Sequence, residues 1–396
     1  MRIFYINPKG NIPFITALSV LLIFSFIPNI AKSQIASDEA KHITVFYEEG
    51  RYGGWPANIG IWNWDDEILV GFIEAEYRQT DGFHTYDRST ARTKFARTQD
   101  GGQTWIFEDA YERGHTARAF DHELPDDIAV APKKLKEKID FTHQDFIMTL
   151  RFEDTFHRGP THFYYSYNRG KKWEGPYRFP NLYSPGNASR PDYIINGKHE
   201  LSAFLTMTKV NGREGRVAHA RTADGGLNWE IVSWIGLEPA GFDIMPSSVR
   251  LSPNEILTVI RTRTGDHFDL LTAYLSEDNG ESWKQLRNPV ADAGRGGSPP
   301  ALVKMEDGRL ALAYAFRSEY GSRICVRFSS DNGRTWSDEI PLRLGDGANR
   351  DVGYPRMVQR PDGKLVVVYY WNHALRDDAN PYRYIAATIF DPDNWK

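Results

Sequence analysis

An all-β fold, a six-bladed or seven-bladed β-propeller, is predicted by three observations in the 396 residues. A turn motif recurs five times. An apolar strand pair precedes each copy by about thirty residues. A single cysteine leaves no internal disulfide, so a large core has to hold the chain together.

The chain opens with a weakly basic stretch, an apolar run from Ile12 to Ile30, and small residues in Ala31-Lys32-Ser33. That pattern predicts a secretory signal peptide over residues 1–33, with one propeller domain over 34–396 and a secreted or periplasmic location. Loss of Arg2, Lys9 and Lys32 takes the formal net charge from −4 to about −7. An acidic export product is not a general nucleic-acid binder. The one cysteine, Cys325, lies in the strand-like run Arg323–Phe328 and reads as a small buried hydrophobe.

The turn motif is Ser/Thr-x-Asp/Asn-x-Gly-x-x-Trp: TQDGGQTW (98–105), SYNRGKKW (166–173), TADGGLNW (222–229), SEDNGESW (276–283) and SSDNGRTW (329–336). The last four copies begin 56, 54 and 53 residues apart, which is the period of a repeat architecture. In each, the Asp or Asn caps its own turn, the Gly takes a positive φ, and the Trp covers the apolar side. The motif resembles the Asp-box of sialidase-type β-propellers, and the resemblance implies a sialidase-like fold in which the boxes are staples rather than catalytic groups. Strand pairs fall at 57–72, 140–152, 190–207, 246–263, 299–317 and 355–371, with 43–47 or 385–390 closing the ring. The stretch 106–135 is longer than a repeat needs and stands as an inserted loop or a seventh blade.

In such a ring the loops leading into the innermost strands share a face with the loops leaving the second strands. Seven of the eleven histidines sort to that face: His84, His115, His122, His143, His157, His267 and His373. Arg51, Arg190, Arg213, Arg216, Arg263, Arg295, Arg317 and Arg350 join them, with Tyr52, Tyr193, Tyr320, Tyr354 and Tyr382. Gathering Arg, His and Tyr on one face of an acidic protein favours an anionic small ligand. Trp55 and Trp371 near the rim suit stacking on sugar rings.

Sialidases use an Arg-Ile-Pro step into the first blade, three Arg for a carboxylate, and a Tyr activated by Glu. Here the first blade begins Arg51-Tyr52-Gly53-Gly54-Trp55-Pro56, and the loops offer no clear Tyr–Glu pair or carboxylate pair of the kind most glycosidases need. The inventory suits β-elimination at a uronic acid instead. There Arg or His stabilises charge developing beside the C6 carboxylate, and His or Tyr moves the C5 proton. The loop GGWPAN, the run THQDF, and RPDY followed by GREGR resemble secreted propellers of polysaccharide degradation, among them ulvan-type lyases with a His/Tyr/Arg site.

Carried onto this chain, the resemblance implies His143, Tyr193 and His122 as catalytic groups and Arg190 and Arg216 as carboxylate clamps. Arg51, Arg263 and Tyr354 are further substrate-binding candidates. Asp145, two residues after His143, is placed to orient its imidazole. The expectation is a monomeric carbon–oxygen lyase on an anionic saccharide, cleaving the chain or removing water from a terminal uronate. No metal, cofactor, nucleic acid or membrane anchor is expected. An exo-glycosidase, sialidase-like or rhamnosidase-like, and a non-catalytic glycan-binding propeller are the alternatives.

Overall fold

A computed structural model describes residues 40–80, 84–109, 131–152, 160–188, 190, 192–265, 268–373 and 382–395. The expected signal peptide and His122 lie outside these residues. Among them, twenty-four strands form six antiparallel sheets in a ring. Strand β1 (Lys41–Phe46) comes first but belongs to the last blade. The first blade contains β2 (Arg51–Gly54), β3 (Gly60–Trp64), β4 (Glu67–Glu76), β5 (Arg92–Thr98) and β6 (Ile106–Asp109). Both β2 and β3 pair with β4, so together they make one innermost strand, interrupted by a single 3₁₀ turn at Pro56–Asn58. The second blade has β7 (Ile147–Phe152), β8 (Thr161–Ser166) and β9 (Glu174–Arg178). The third has β10 (Tyr193–Gly197), β11 (Glu200–Thr208), β12 (Glu214–Thr222) and β13 (Glu230–Ile235).

The fourth blade comprises β14 (Phe242–Arg250), β15 (Ile256–Thr264), β16 (Phe268–Ser276) and β17 (Lys284–Gln285). The fifth comprises β18 (Ala301–Lys304), β19 (Leu310–Phe316), β20 (Arg323–Ser329) and β21 (Ile340–Leu344). The sixth has β22 (Gly353–Gln359), β23 (Leu365–Asn372) and β24 (Arg383–Phe390), and β1 closes the ring on the edge of β24. Both sequence candidates for closure are therefore used, 385–390 as third strand and 43–47 as its outer partner. The six sheets contain no seventh blade among the described residues, and Ile106–Asp109 is the outer strand of the first.

Middle strands have a blade on either side, which explains their unbroken apolar runs: every residue of β23, Leu-Val-Val-Val-Tyr-Tyr-Trp-Asn, is buried. The core lies between blades, as where Val366 and Ile385 of the sixth meet Phe72 and Val70 of the first. Leu257 and Leu271 likewise join Leu312 across the fourth and fifth blades. Truncating a side chain such as Leu257, which is fully buried, to Ala costs about 2–5 kcal/mol. Cys325 is buried among the same residues.

The boxes fold as their residues dictate. Thr98 Oγ1 accepts from Gly102 N at 3.0 Å, Asp100 Oδ1 accepts from the backbone of Gln103 and Thr104 at 2.9 Å, and Trp105 donates to the Gly102 carbonyl at 3.0 Å. Slight burial opposes ionisation of Asp100, but these bonds and those from the threonine hydroxyls hold its carboxyl at about 2.

The second blade departs from the expected pattern. Its sheet has three strands, and 140–146 form no innermost strand. The chain runs down the outer edge instead: Lys133 N donates to Pro176 O, Arg178 N to Lys133 O, Ile139 N to Gly225 O and Phe141 N to Lys198 O. It then turns under the ring at 141–146, on the Asp-box face, before rising as β7.

Candidate active site

Three innermost strands carry an x-Pro step at the cleft: Trp55-Pro56, Met245-Pro246 and Tyr354-Pro355. In each, the residue before Pro has a left-handed backbone, with φ of 55°, 52° and 51°. The strand registers break there, between Ile244 and Ser247 and between Gly353 and Arg356. Such backbone costs about 1 kcal/mol or more at a residue with a Cβ and persists where its surroundings hold it. Here Ala57, Ile244 and Met245 form a buried cluster against which Phe242 and Tyr354 pack. The bulges thus turn Tyr354 into the cleft.

Two guanidiniums reach its half-buried ring, and the charge of a third, Arg190, acts on it. Arg261, from β15, donates to the Tyr354 hydroxyl at 3.2 Å and also to the Gly296 carbonyl. Arg317, just past β19, lies 5.3 Å from the ring centre and donates to Val352 O at 2.7 Å and to the Tyr370 hydroxyl at 2.6 Å. Arg190 donates to Asn58 Oδ1 at 3.2 Å and caps the Phe152 ring at 4.6 Å. Arg261 and Arg317 are both buried, and their hydrogen bonds go to carbonyls and phenols. Burial alone would raise a phenol's pKa. At Tyr354 the charges of Arg261, Arg317 and Arg190, with the Arg261 hydrogen bond, outweigh it and lower the pKa below its ordinary value.

Behind this group Asp351 is fully buried and ties the sixth blade to the first. It accepts from Tyr370 at 2.7 Å, from Arg383 at 2.9 Å and from His84 Nδ1 at 3.0 Å. Burial opposes its ionisation, but His84, Arg383 and Tyr370 together hold its carboxyl well below the usual range. The His84 ring stands edge-on to Trp55 at 4.9 Å and is partly exposed. A chain of contacts thus runs Tyr354–Arg317–Tyr370–Asp351–His84. The neighbouring carboxylates are engaged: Asp269 takes both bonds of Arg263 at 2.9 Å, and Asp243 accepts from Thr262 at 2.6 Å. Among the described residues no carboxylate bonds to Tyr354, and no group of three His, Cys, Asp or Glu is gathered as for a metal ion.

The sequence candidates divide. Tyr354 lies at the cleft, close enough to Arg190 for that charge to lower its pKa. Tyr193 faces inward but deeper, its hydroxyl accepting from Trp62 at 3.1 Å and from Met148 N at 3.2 Å, and burial raises its pKa. Arg263 is spent on Asp269, while Arg261, two residues deeper on the same side of β15, reaches Tyr354. Arg51 pairs with Glu74 and, at 3.5 Å, with Glu76. Arg216 lies on the third strand of its blade and stacks at 4.0 Å on Trp234 of the outer strand, away from the axis. His143 does not face the central cleft as expected: it is exposed on the Asp-box face, with its ring 4.9 Å from Tyr167 of a box turn. Its Nδ1 accepts from Asp145 N at 3.2 Å, while the Asp145 carboxylate pairs with Arg169 at 2.7 Å and does not orient the imidazole. Sequence reasoning missed Arg261 and the His84–Asp351 pair. The spacing of Arg261 and Arg263, two apart and so on one side of β15, was the signal available for the first.

A family model described as the BNR repeat-like domain matches residues 155–367. No curated protein sequence matches. Among solved structures, a protein of unknown function from Dyadobacter fermentans is 18% identical, with a TM-score of 0.64 over 89% of this chain and 98% of the other. A sialidase mutant of Trypanosoma rangeli displaying trans-sialidase activity is 14% identical, with a TM-score of 0.57 over 88% of this chain. The match covers 58% of that sialidase. An α-L-arabinanase of Penicillium chrysogenum, complexed with arabinobiose, is 15% identical, with a TM-score of 0.57 over 88% and 97%. These likenesses are likenesses of fold, and two of the three neighbours are carbohydrate-processing enzymes by name. With the repeat model covering more than half of its length, the chain belongs to the BNR repeat-like domain family.

Proposed function

We propose that the cleft binds an acidic sugar and that the protein is a carbohydrate-active carbon–oxygen lyase working by β-elimination at a uronic acid. One observation carries the reading: two buried guanidiniums, Arg261 and Arg317, hydrogen-bond to neutral groups and converge with Arg190 on a phenol whose pKa they lower. Burial opposes both charges; Tyr370, Tyr354 and Asp351 outweigh it at Arg317, whereas at Arg261 burial prevails and lowers the pKa, so a carboxylate ligand would offset what Tyr354 and Asp269 leave uncompensated there. The clamp withdraws charge from the substrate carboxylate and so acidifies the C5 hydrogen. The Tyr354 phenolate takes that proton, the C5–H electrons form the C4–C5 double bond, and the C4–O bond breaks with its electrons leaving on oxygen. That oxygen takes a proton from Tyr354 or from His84, which Asp351 holds in place.

A second reading has its own support. An arginine set with a tyrosine on a sialidase-like propeller is also what an exo-glycosidase acting on an acidic sugar would use, with Tyr354 as nucleophile. Incubation with ulvan and other uronic acid glycans separates the two: elimination raises absorbance near 235 nm, hydrolysis releases a saturated sugar with no such rise. Failure to do either on any acidic glycan rejects both.

A further inference from the structure

We infer that a second sugar subsite lies in the groove between the fourth and fifth blades, beside the Tyr354 cleft, and takes the pyranose next to the acidic one. The inference rests on reading that cleft as an acidic-sugar site. The groove has a volume of about 360 Å³, within the range of small-molecule pockets. Arg317 lines it and also stands 5.3 Å from the Tyr354 ring, so the two spaces share a wall.

The rim holds the side chains that sugar recognition needs. Tyr320 is 98% exposed, which leaves both faces of its ring open to the C–H face of a pyranose. Its loop is ordered from within: Tyr320 N donates to Ser318 Oγ at 3.3 Å, Ser318 N to Ser322 Oγ at 3.0 Å, and Ser322 Oγ to Ser318 O at 2.8 Å. The backbone that carries the platform is thus fixed before a ligand arrives, which limits the loop entropy lost on binding.

Arg295 lines the same groove, exposed; its side chain makes no hydrogen bond or ion pair among the described residues, while its backbone N–H is fixed to Arg317 O at 2.9 Å. Asp292, on the same lining, caps Gly294 N at 2.8 Å and is exposed. A guanidinium and a carboxylate on the wall of one groove can donate to one sugar hydroxyl and accept from another. The other two acids of the groove are already neutralised, Asp269 by Arg263 and Glu319 by Arg350. A hydroxyl-rich ring stacked on Tyr320 therefore matches both the shape and the charge.

The test is calorimetric, on the Tyr354→Phe protein so that ligand is bound without turnover. Glucuronic acid and its β-1,4-linked di- and trisaccharides are compared as ligands. Affinity is expected to rise about tenfold from the monosaccharide to the disaccharide, and Tyr320→Ala or Arg295→Ala is expected to return the disaccharide to the monosaccharide's affinity. Equal affinity for all three ligands, or a gain that survives both substitutions, overturns the subsite and leaves the acidic-sugar reading standing. If no acidic sugar binds at all, the cleft reading falls and takes the subsite with it.

Discussion

Arg261 donates to the Tyr354 hydroxyl across 3.2 Å, so a side chain from the second strand of the fourth blade sets the ionisation of one from the first strand of the sixth. The two lie 93 positions apart in the chain and meet only because the ring closes. Replacing Tyr354 with Phe removes the proton-carrying oxygen and keeps the ring. Turnover of the responsive uronic acid glycan should fall about 10²–10⁴-fold with the thermal midpoint little changed, as checked by initial rates and melting curves.

The sign of the pH dependence follows from the same pair. A base must be deprotonated, so kcat/KM climbs as pH rises through the pKa of Tyr354. Burial raises that pKa, and Arg261 is first among the charges that bring it below the ordinary phenol value. Arg261→Met should therefore move the acid limb of the pH–rate profile to higher pH and raise KM. An unmoved acid limb would mean that another group is the base.

Asp351 is a stability prediction. Its folded pKa is depressed, so its contribution is present above the unfolded value of about 3.9 and is lost as pH falls through the lower folded value. Asp351→Asn leaves Arg383 buried without its counter-charge and should cost about 3 kcal/mol at neutral pH in urea denaturation. The deficit relative to the parent should shrink on acidification below about pH 4.

The two histidines are opposites. His143 lies on the Asp-box face, so His143→Ala should leave kcat/KM within about twofold, whereas His84→Ala should lower kcat by at least about tenfold. Steady-state rates on the same substrate compare them. A large loss at His143 would contradict its placement away from the cleft.

Asp100 of the first box should behave as a staple. Asp100→Ala leaves the Gln103 and Thr104 N–H groups without their acceptor and should cost about 1–2 kcal/mol with unchanged turnover, measured by denaturation and rate together.

The repeat was legible because its turn chemistry is local. Thr98, Asp100, Gly102 and Trp105 satisfy one another within eight residues, so the boxes, a ring of six or seven blades and five of the six strand pairs could be read without a fold in hand. Cys325 was legible as a buried residue for the same reason, from the apolar run around it. THQDF misled because Phe146–Leu150 looks like the strand of any other blade. Whether the residues before it form an inner strand or an outer strap depends on hydrogen bonds to Pro176, Gly225 and Lys198, partners far along the chain.

The sequence by itself determined the ring, since it follows from a repeat whose turns obey the same short-range rules, but it set His143 on the wrong face where the second blade breaks that repeat. Only the tertiary structure decided which of the Arg, His and Tyr side chains are engaged elsewhere and which are turned inward. Arg263 and Arg261 are alike in the sequence, yet a buried Asp269 takes one and Tyr354 the other. That choice is electrostatic and depends on a few ångströms between blades, a distance fixed by how the blades pack and not by any one of them.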